Sequence, residues 1–165
     1  MAGQQKKLRI GWFSFSCCED STIVFTELLN DYYGALMEVA EIRHARVFRK
    51  NNDMSDLDIA FVEGAISSDR YEAELKEIRK NCKKLIAVGS CAVTGMPSAQ
   101  RNDFDEKRKK EINPFLKAFD FRGKVVPLHD IVTVDDSIPG CPMTEAGFLK
   151  VFNRQLEEFG IHAQL

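Results

Sequence analysis

Short apolar runs alternate along this chain with stretches whose apolar residues recur every three or four positions, and that alternation is the pattern of βαβ units. Leu8 to Phe15 reads as a first strand, with Leu8, Ile10 and Trp12 on one face. Phe25, Leu28, Leu29, Tyr32 and Leu36 then recur at helical spacing, with Ser21 or Thr22 placed to cap the helix start. A charge-interrupted alternation over Glu38 to Val47 suits an edge strand, and the apolar stretch Leu57 to Val62 suits a buried parallel one. Tyr71, Leu75, Ile78 and Cys82 mark the stripe of a second helix, and Lys84 to Gly89 a further buried strand. The polar segment Ala99 to Glu111 reads as a loop before a helix carrying Ile112, Phe115, Leu116 and Phe119. Ile131 to Val134 gives the last strand, Ile138 to Pro142 a turn, and Thr144 to Phe159 a closing helix that Gly160 ends. Strand and helix in alternation predict an α/β fold with a mostly parallel sheet covered on both faces, because the right-handed crossover returns each strand parallel to the one before. The expectation is a single flavodoxin-like doubly wound domain over residues 1–165, with its core at about 8–159.

At 165 residues, 44% hydrophobic and 29% charged, the chain suffices for one substantial core and is short for two. Its net charge of −2, with acids and bases interspersed, supplies no electrostatic footprint for nucleic acid or anionic lipid. No run approaches the roughly 20 apolar residues of a membrane span. The polar start Met1-Ala-Gly-Gln-Gln-Lys-Lys lacks the apolar stretch of a secretory signal, so a cytoplasmic location is expected. In a reducing compartment, five cysteines are ligands, reactive groups or buried fillers rather than disulfides.

Four of them sit where parallel strands should end: the tandem Cys17-Cys18, Cys91 in Val88-Gly-Ser-Cys-Ala, and Cys141 in Ile138-Pro-Gly-Cys-Pro. Ligands of open α/β sheets bind outside the carboxyl ends of the strands, so three remote loops could share one ligand. Iron in a cubane cluster already carries sulfide and completes its tetrahedral coordination with one thiolate per iron, so four cysteines suffice for one [4Fe–4S] cluster. Zinc is the rival, but structural zinc sites present two close cysteine pairs, and here two of the four thiols stand alone. Any single cysteine is equally explained as a small buried hydrophobe. Cys82 completes a helix stripe and is read as core. A flavodoxin-like FMN protein is a further alternative, resting on the fold and the Ser/Thr-containing loop after the first strand.

The segments Trp12-Phe-Ser-Phe-Ser-Cys-Cys-Glu-Asp-Ser, Phe61-Val-Glu-Gly-Ala-Ile, Val88-Gly-Ser-Cys-Ala-Val-Thr-Gly-Met-Pro-Ser-Ala-Gln-Arg-Asn and Ile138-Pro-Gly-Cys-Pro carry a resemblance. They are similar to the small subunit of [NiFe] hydrogenases, in its short cytosolic type, and to the related subunit of respiratory complex I. The resemblance runs from about residue 8 to residue 156. It implies an electron-transfer subunit of a hydrogen:acceptor oxidoreductase complex, not catalytic alone. One proximal [4Fe–4S] cluster would lie beside a hydrogenase-like large subunit that holds the NiFe centre. It also implies a further iron–sulfur or flavin subunit to take the electrons onward, since no spare cysteine motif follows the last helix. A complex-I-like relay without hydrogenase activity is the alternative within the resemblance.

The first motif departs from the hydrogenase pattern. Aligning Cys18 with the first cysteine of the usual C-x-x-C places Ser21 where the second should stand, whereas adjacent cysteines both serve as ligands in the complex I subunit. The expected ligand set is therefore Cys17, Cys18, Cys91 and Cys141, with Ser21 as the lesser candidate. Glu63 ends a strand at the same sheet edge and is open between a site role and a solvated loop carboxylate. Glu19 and Asp20 read as helix-start acids ahead of proton carriers. The charge run Glu106-Lys-Arg-Lys-Lys-Glu reads as a solvated face, and His44, His129 and His162 form no metal-binding spacing.

Overall fold

A computed structural model describes residues 6–165. The elements in chain order are β1 (Leu8–Ser14), α1 (Asp20–Val39), β2 (Ala40–Ala45), β3 (Leu57–Glu63), α2 (Asp69–Lys80), β4 (Cys82–Val88), α3 (Gly89–Thr94), α4 (Glu106–Ala118), β5 (Asp136–Ile138) and α5 (Glu145–Glu158). Two 3-10 turns, Gln100–Asp103 and Leu128–Asp130, flank α4. The five strands form one sheet in the order β2-β1-β3-β4-β5 with every pair parallel, which is the expected flavodoxin-like doubly wound order.

The central strand explains why the sheet needs two covers. All seven residues of β3 are buried, and its side chains alternate between faces. Ile59 and Phe61 join Leu8, Ile10 and Trp12 under α1 and α5, while Ala60 and Val62 join Phe13, Leu85 and Ala87 under α2. Trp12 is a core residue: its ring stacks on Phe25 at 4.4 Å between centroids, and its Nε1 donates to Thr22 Oγ1 at 2.8 Å. Ser68 and Thr144 cap α2 and α5 by accepting from the N–H groups of Tyr71 and Gly147.

Four expectations are corrected. Ser21 and Thr22 do not cap α1 from outside; both lie buried within its first turn, after Glu19 in left-handed conformation. The last strand is Asp136–Ile138 rather than Ile131 to Val134, because the N–H groups of Ile131 and Val132 fold back onto Leu128 O at 3.0 Å and end the extended geometry there. Ile131, Val132 and Val134 instead pack half-buried against the α2 side of the core. Cys82 opens β4 rather than closing α2, since Asn81 caps that helix and Cys82 pairs in register with Leu57. Helix α4 begins at Glu106, well inside the segment read as a loop, because the Asp105 carboxylate accepts from the Arg108 N–H at 2.8 Å and starts it. None of its residues is buried. Among the described residues no helix is long and apolar enough to cross a membrane.

Candidate functional site

The carboxyl ends of β1, β4 and β5 meet at one edge of the sheet. Cys17 and Cys18 follow β1, Cys91 lies in α3 directly after β4, and Cys141 follows β5 in the turn that precedes α5. All four line one cleft together with Asp20, Ser21, Glu63, Gly89 and Gly140. The three loops are tied to one another. Ser90 N–H donates to Gly140 O at 2.7 Å, linking the Cys91 and Cys141 segments, and Met143 N–H donates to Ser21 Oγ at 3.2 Å, linking the Cys141 turn to α1. Ser98 Oγ lies 2.8 Å from Ser16 O, linking the segment after Cys91 to the Cys17 loop.

Two glycines let the backbone come this close. Gly140 has φ 129°, and a Cβ there would stand 2.5 Å from Pro142 O. Gly89 has φ 78°, and its Cβ would meet Ser21 Oγ at 3.0 Å. The cleft has an inner wall and an open rim, for Cys91 is buried and Cys17 half-buried while Cys18 and Cys141 are exposed. Burial pushes the Cys17 thiol up to about 12, and the neighbouring Glu63 carboxylate adds to the shift. The Cys17 sulfur is therefore held as a neutral thiol in this environment, not as a free nucleophilic thiolate. Among the described residues no three His, Cys, Asp or Glu side chains converge on a position for a single metal ion.

Glu63 is 3% exposed and is neither solvated nor part of a loop. Its Oε1 accepts from Ser21 N–H at 3.0 Å, and its Oε2 accepts from Thr22 N–H at 3.2 Å and from the Thr22 hydroxyl at 2.7 Å. The last residue of β3 therefore caps α1 from across the sheet, in place of the missing local cap. Burial raises its carboxyl against the pull of these hydrogen bonds. Asp20 is the acid of the first helical turn, as the sequence indicated, whereas Glu19 precedes the helix in left-handed conformation and lines a separate small pocket with His44 and Glu74. His44 stacks on Phe13, and His129 and His162 are exposed outside the cleft. The charge run lies on the exposed face of α4.

One contact at the cysteines was invisible in the sequence. Ser98 Oγ approaches Cys91 Sγ at 3.2 Å, seven residues further along and past the turn at Gly95. Ser98 lies within the Val88-to-Asn102 motif, but its spacing does not reveal the contact with Cys91, which the turn geometry alone brings about.

Residues 17–154 match the family described as NADH ubiquinone oxidoreductase, 20 Kd subunit. The chain belongs to this family. Its relatives include subunits of several hydrogenases, as the motifs indicated. It is 29% identical over 168 residues to the NAD-reducing hydrogenase HoxS subunit delta of Cupriavidus necator, covering 92% of this chain and 80% of that one. It is 30% identical over 156 residues to a subunit of the F420-non-reducing hydrogenase of Methanothermobacter marburgensis, covering 83% of this chain but 49% of the relative, so it spans about half the length of that subunit. Among solved structures, a crystal structure of NAD+-reducing [NiFe]-hydrogenase in the H2-reduced state superposes with a TM-score of 0.77 at 24% identity, over 92% of this chain and 93% of that one. A reduced, active Ni-Fe-Se hydrogenase from Desulfomicrobium baculatum gives 0.64 at 15% identity, over 97% and 66%. These two likenesses establish that the family's fold is shared.

Proposed function

We propose that this chain is the electron-transfer small subunit of a cytoplasmic [NiFe] hydrogenase-type complex, with Cys17, Cys18, Cys91 and Cys141 as the ligands of one [4Fe–4S] cluster. The observation that carries the reading is the convergence of four thiols, from three loops remote in sequence, on one cleft. The donor set fits the group: sulfur is the soft anionic ligand that iron–sulfur clusters take. Structural zinc sites present two close cysteine pairs, whereas two of these four thiols stand alone in sequence, which favours the cluster over zinc. Such a cluster, when bound, accepts and releases single electrons. The chain's own residues hold it at the sheet edge, keep water from its inner side at Cys91, and leave its outer side at Cys18 and Cys141 open to a partner. A hydrogenase-like large subunit is the partner proposed there, with a further iron–sulfur or flavin subunit taking the electrons onward.

Cys17 is favoured over Ser21 as the fourth ligand because iron–sulfur clusters take soft thiolate sulfur, which Cys17 supplies at the cleft and a serine hydroxyl does not. The deciding experiment is anaerobic purification with the large subunit, followed by iron, acid-labile sulfide and zinc analysis. Iron and sulfide in equal amounts are expected, and stoichiometric zinc without iron would sink the reading. A flavin absorption spectrum would point to the FMN alternative instead. The tandem Cys17-Cys18 pair, both lining the cleft, also supports a complex-I-like relay. The large subunit decides between the two, since a hydrogenase requires it to keep two C-x-x-C pairs for nickel and iron.

A further inference from the structure

The hydroxyl of Ser98 carries one proton and faces two acceptors, the carbonyl of Ser16 at 2.8 Å and the sulfur of Cys91 at 3.2 Å. Ser16 directly precedes the Cys17-Cys18 pair, so this one side chain spans from the loop of one cysteine group to the sulfur of another. The Ser16 carbonyl does not depend on it, because Ala65 N–H also donates there, at 3.0 Å. Turning the hydroxyl from carbonyl to sulfur therefore strands no buried acceptor and costs little. Cys91 is the buried member of the four thiols and Ser98 is half-buried, so bulk water does not readily replace the hydroxyl at that sulfur.

We propose that Ser98 is a positioning residue for the Cys91 sulfur, whose O–H turns from the Ser16 carbonyl to that sulfur when it gains negative charge and so raises the reduction potential of the cluster. The inference rests on the proposal that the four cysteines hold a cluster. The physical ground is that a hydroxyl donor to a ligand sulfur stabilises the form with the extra electron more than the form without it. No covalent bond forms or breaks in the step. One electron enters from the reductant, and the proton stays on Ser98 throughout.

The test is a dithionite titration followed by electron paramagnetic resonance, on the complex purified with its large subunit, for wild type, Ser98→Ala, Ser98→Thr and Ser98→Val. Iron content is measured on each sample first. Ser98→Ala should load iron as wild type does and titrate at a more negative midpoint. Ser98→Thr, which keeps the hydroxyl, should restore the wild-type midpoint, while Ser98→Val, its isostere without the hydroxyl, should follow Ser98→Ala. Full iron with an unchanged midpoint in the Ala and Val variants overturns the proposal. Should the Ala variant lose iron, retention in Thr with loss in Val supports it, and loss in both overturns it. A wild-type sample without iron removes the cluster reading, and this inference with it, before any variant is compared.

Discussion

Glu63 and Ser21 show how single residues at this sheet edge divide the work of holding the cleft. Glu63 receives three hydrogen bonds from the first turn of α1, and the Thr22 hydroxyl among them also accepts from Trp12 Nε1, so the carboxylate ends a buried polar chain that starts in the core. Glu63→Ala leaves those donors buried without an acceptor and should cost about 2–3 kcal/mol, read as a lower urea midpoint of the purified chain. Ser21 makes one such bond, to Met143 N–H, and Ser21→Ala should cost only about 1 kcal/mol. The same pair of positions separates ligand from support. Cys17→Ser should disturb the paramagnetic signal of the reduced chain, whereas Ser21→Ala should leave it largely intact. The reverse pattern would move the fourth ligand to Ser21.

Among the elements, α4 and α5 are opposites. Phe148 and Phe152 of α5 are fully buried against Phe61 and Trp12, so Phe148→Ala should cost about 3–5 kcal/mol. Phe115 of α4 and Phe119 just after it are 65% and 68% exposed, so replacing either with Ser should change stability by no more than about 0.5 kcal/mol. Chemical denaturation of the purified variants checks both values. That contrast also explains what the sequence could reveal. Strand β1 and helices α2 and α5 were legible because each buries a face, which imposes a period on its residues, and β3 and β4 because burial on both faces makes them continuous apolar runs. Helix α4 buries none, and its start was set by the Asp105 cap rather than by a stripe. Strand β5 spans three residues beginning Asp136-Ser137, too short and polar to show a pattern, while the apolar run before it is a turn lying on the core. The cysteine loops were legible because strand ends in a parallel sheet share an edge. The contacts of Glu63 with α1 and of Ser98 with Cys91 were not, since each depends on where separate segments come to rest.

Across the whole molecule, β3 carries a buried carboxylate near each end, and the two are hydrogen-bonded in different ways. Glu63, at the end facing the cysteines, meets only backbone N–H groups and a hydroxyl. Asp58, at the opposite end, is 2% exposed and meets cations. Its Oδ2 accepts from Arg9 N–H and Nε at 2.9 and 3.1 Å, and its Oδ1 from Arg9 Nη2 and Lys83 Nζ at 3.0 and 2.7 Å. Burial acts to raise the Asp58 carboxyl, but these bonds outweigh it and hold it at about 2, below the ordinary 3.8. A carboxyl lowered on folding stabilises the fold above its unfolded value and loses that contribution as pH falls from about 4 towards 2. The contribution is roughly 1–2 kcal/mol once solvent around the half-exposed Lys83 is allowed for. Asp58→Asn should therefore lower stability at neutral pH by about that amount and flatten the acid limb of the stability curve between pH 4 and 2. Because the ionic clamp lies across the sheet from the cleft, iron content per folded chain should not change in this variant. Loss of iron in step with the loss of stability would mean instead that the two edges of the sheet are coupled.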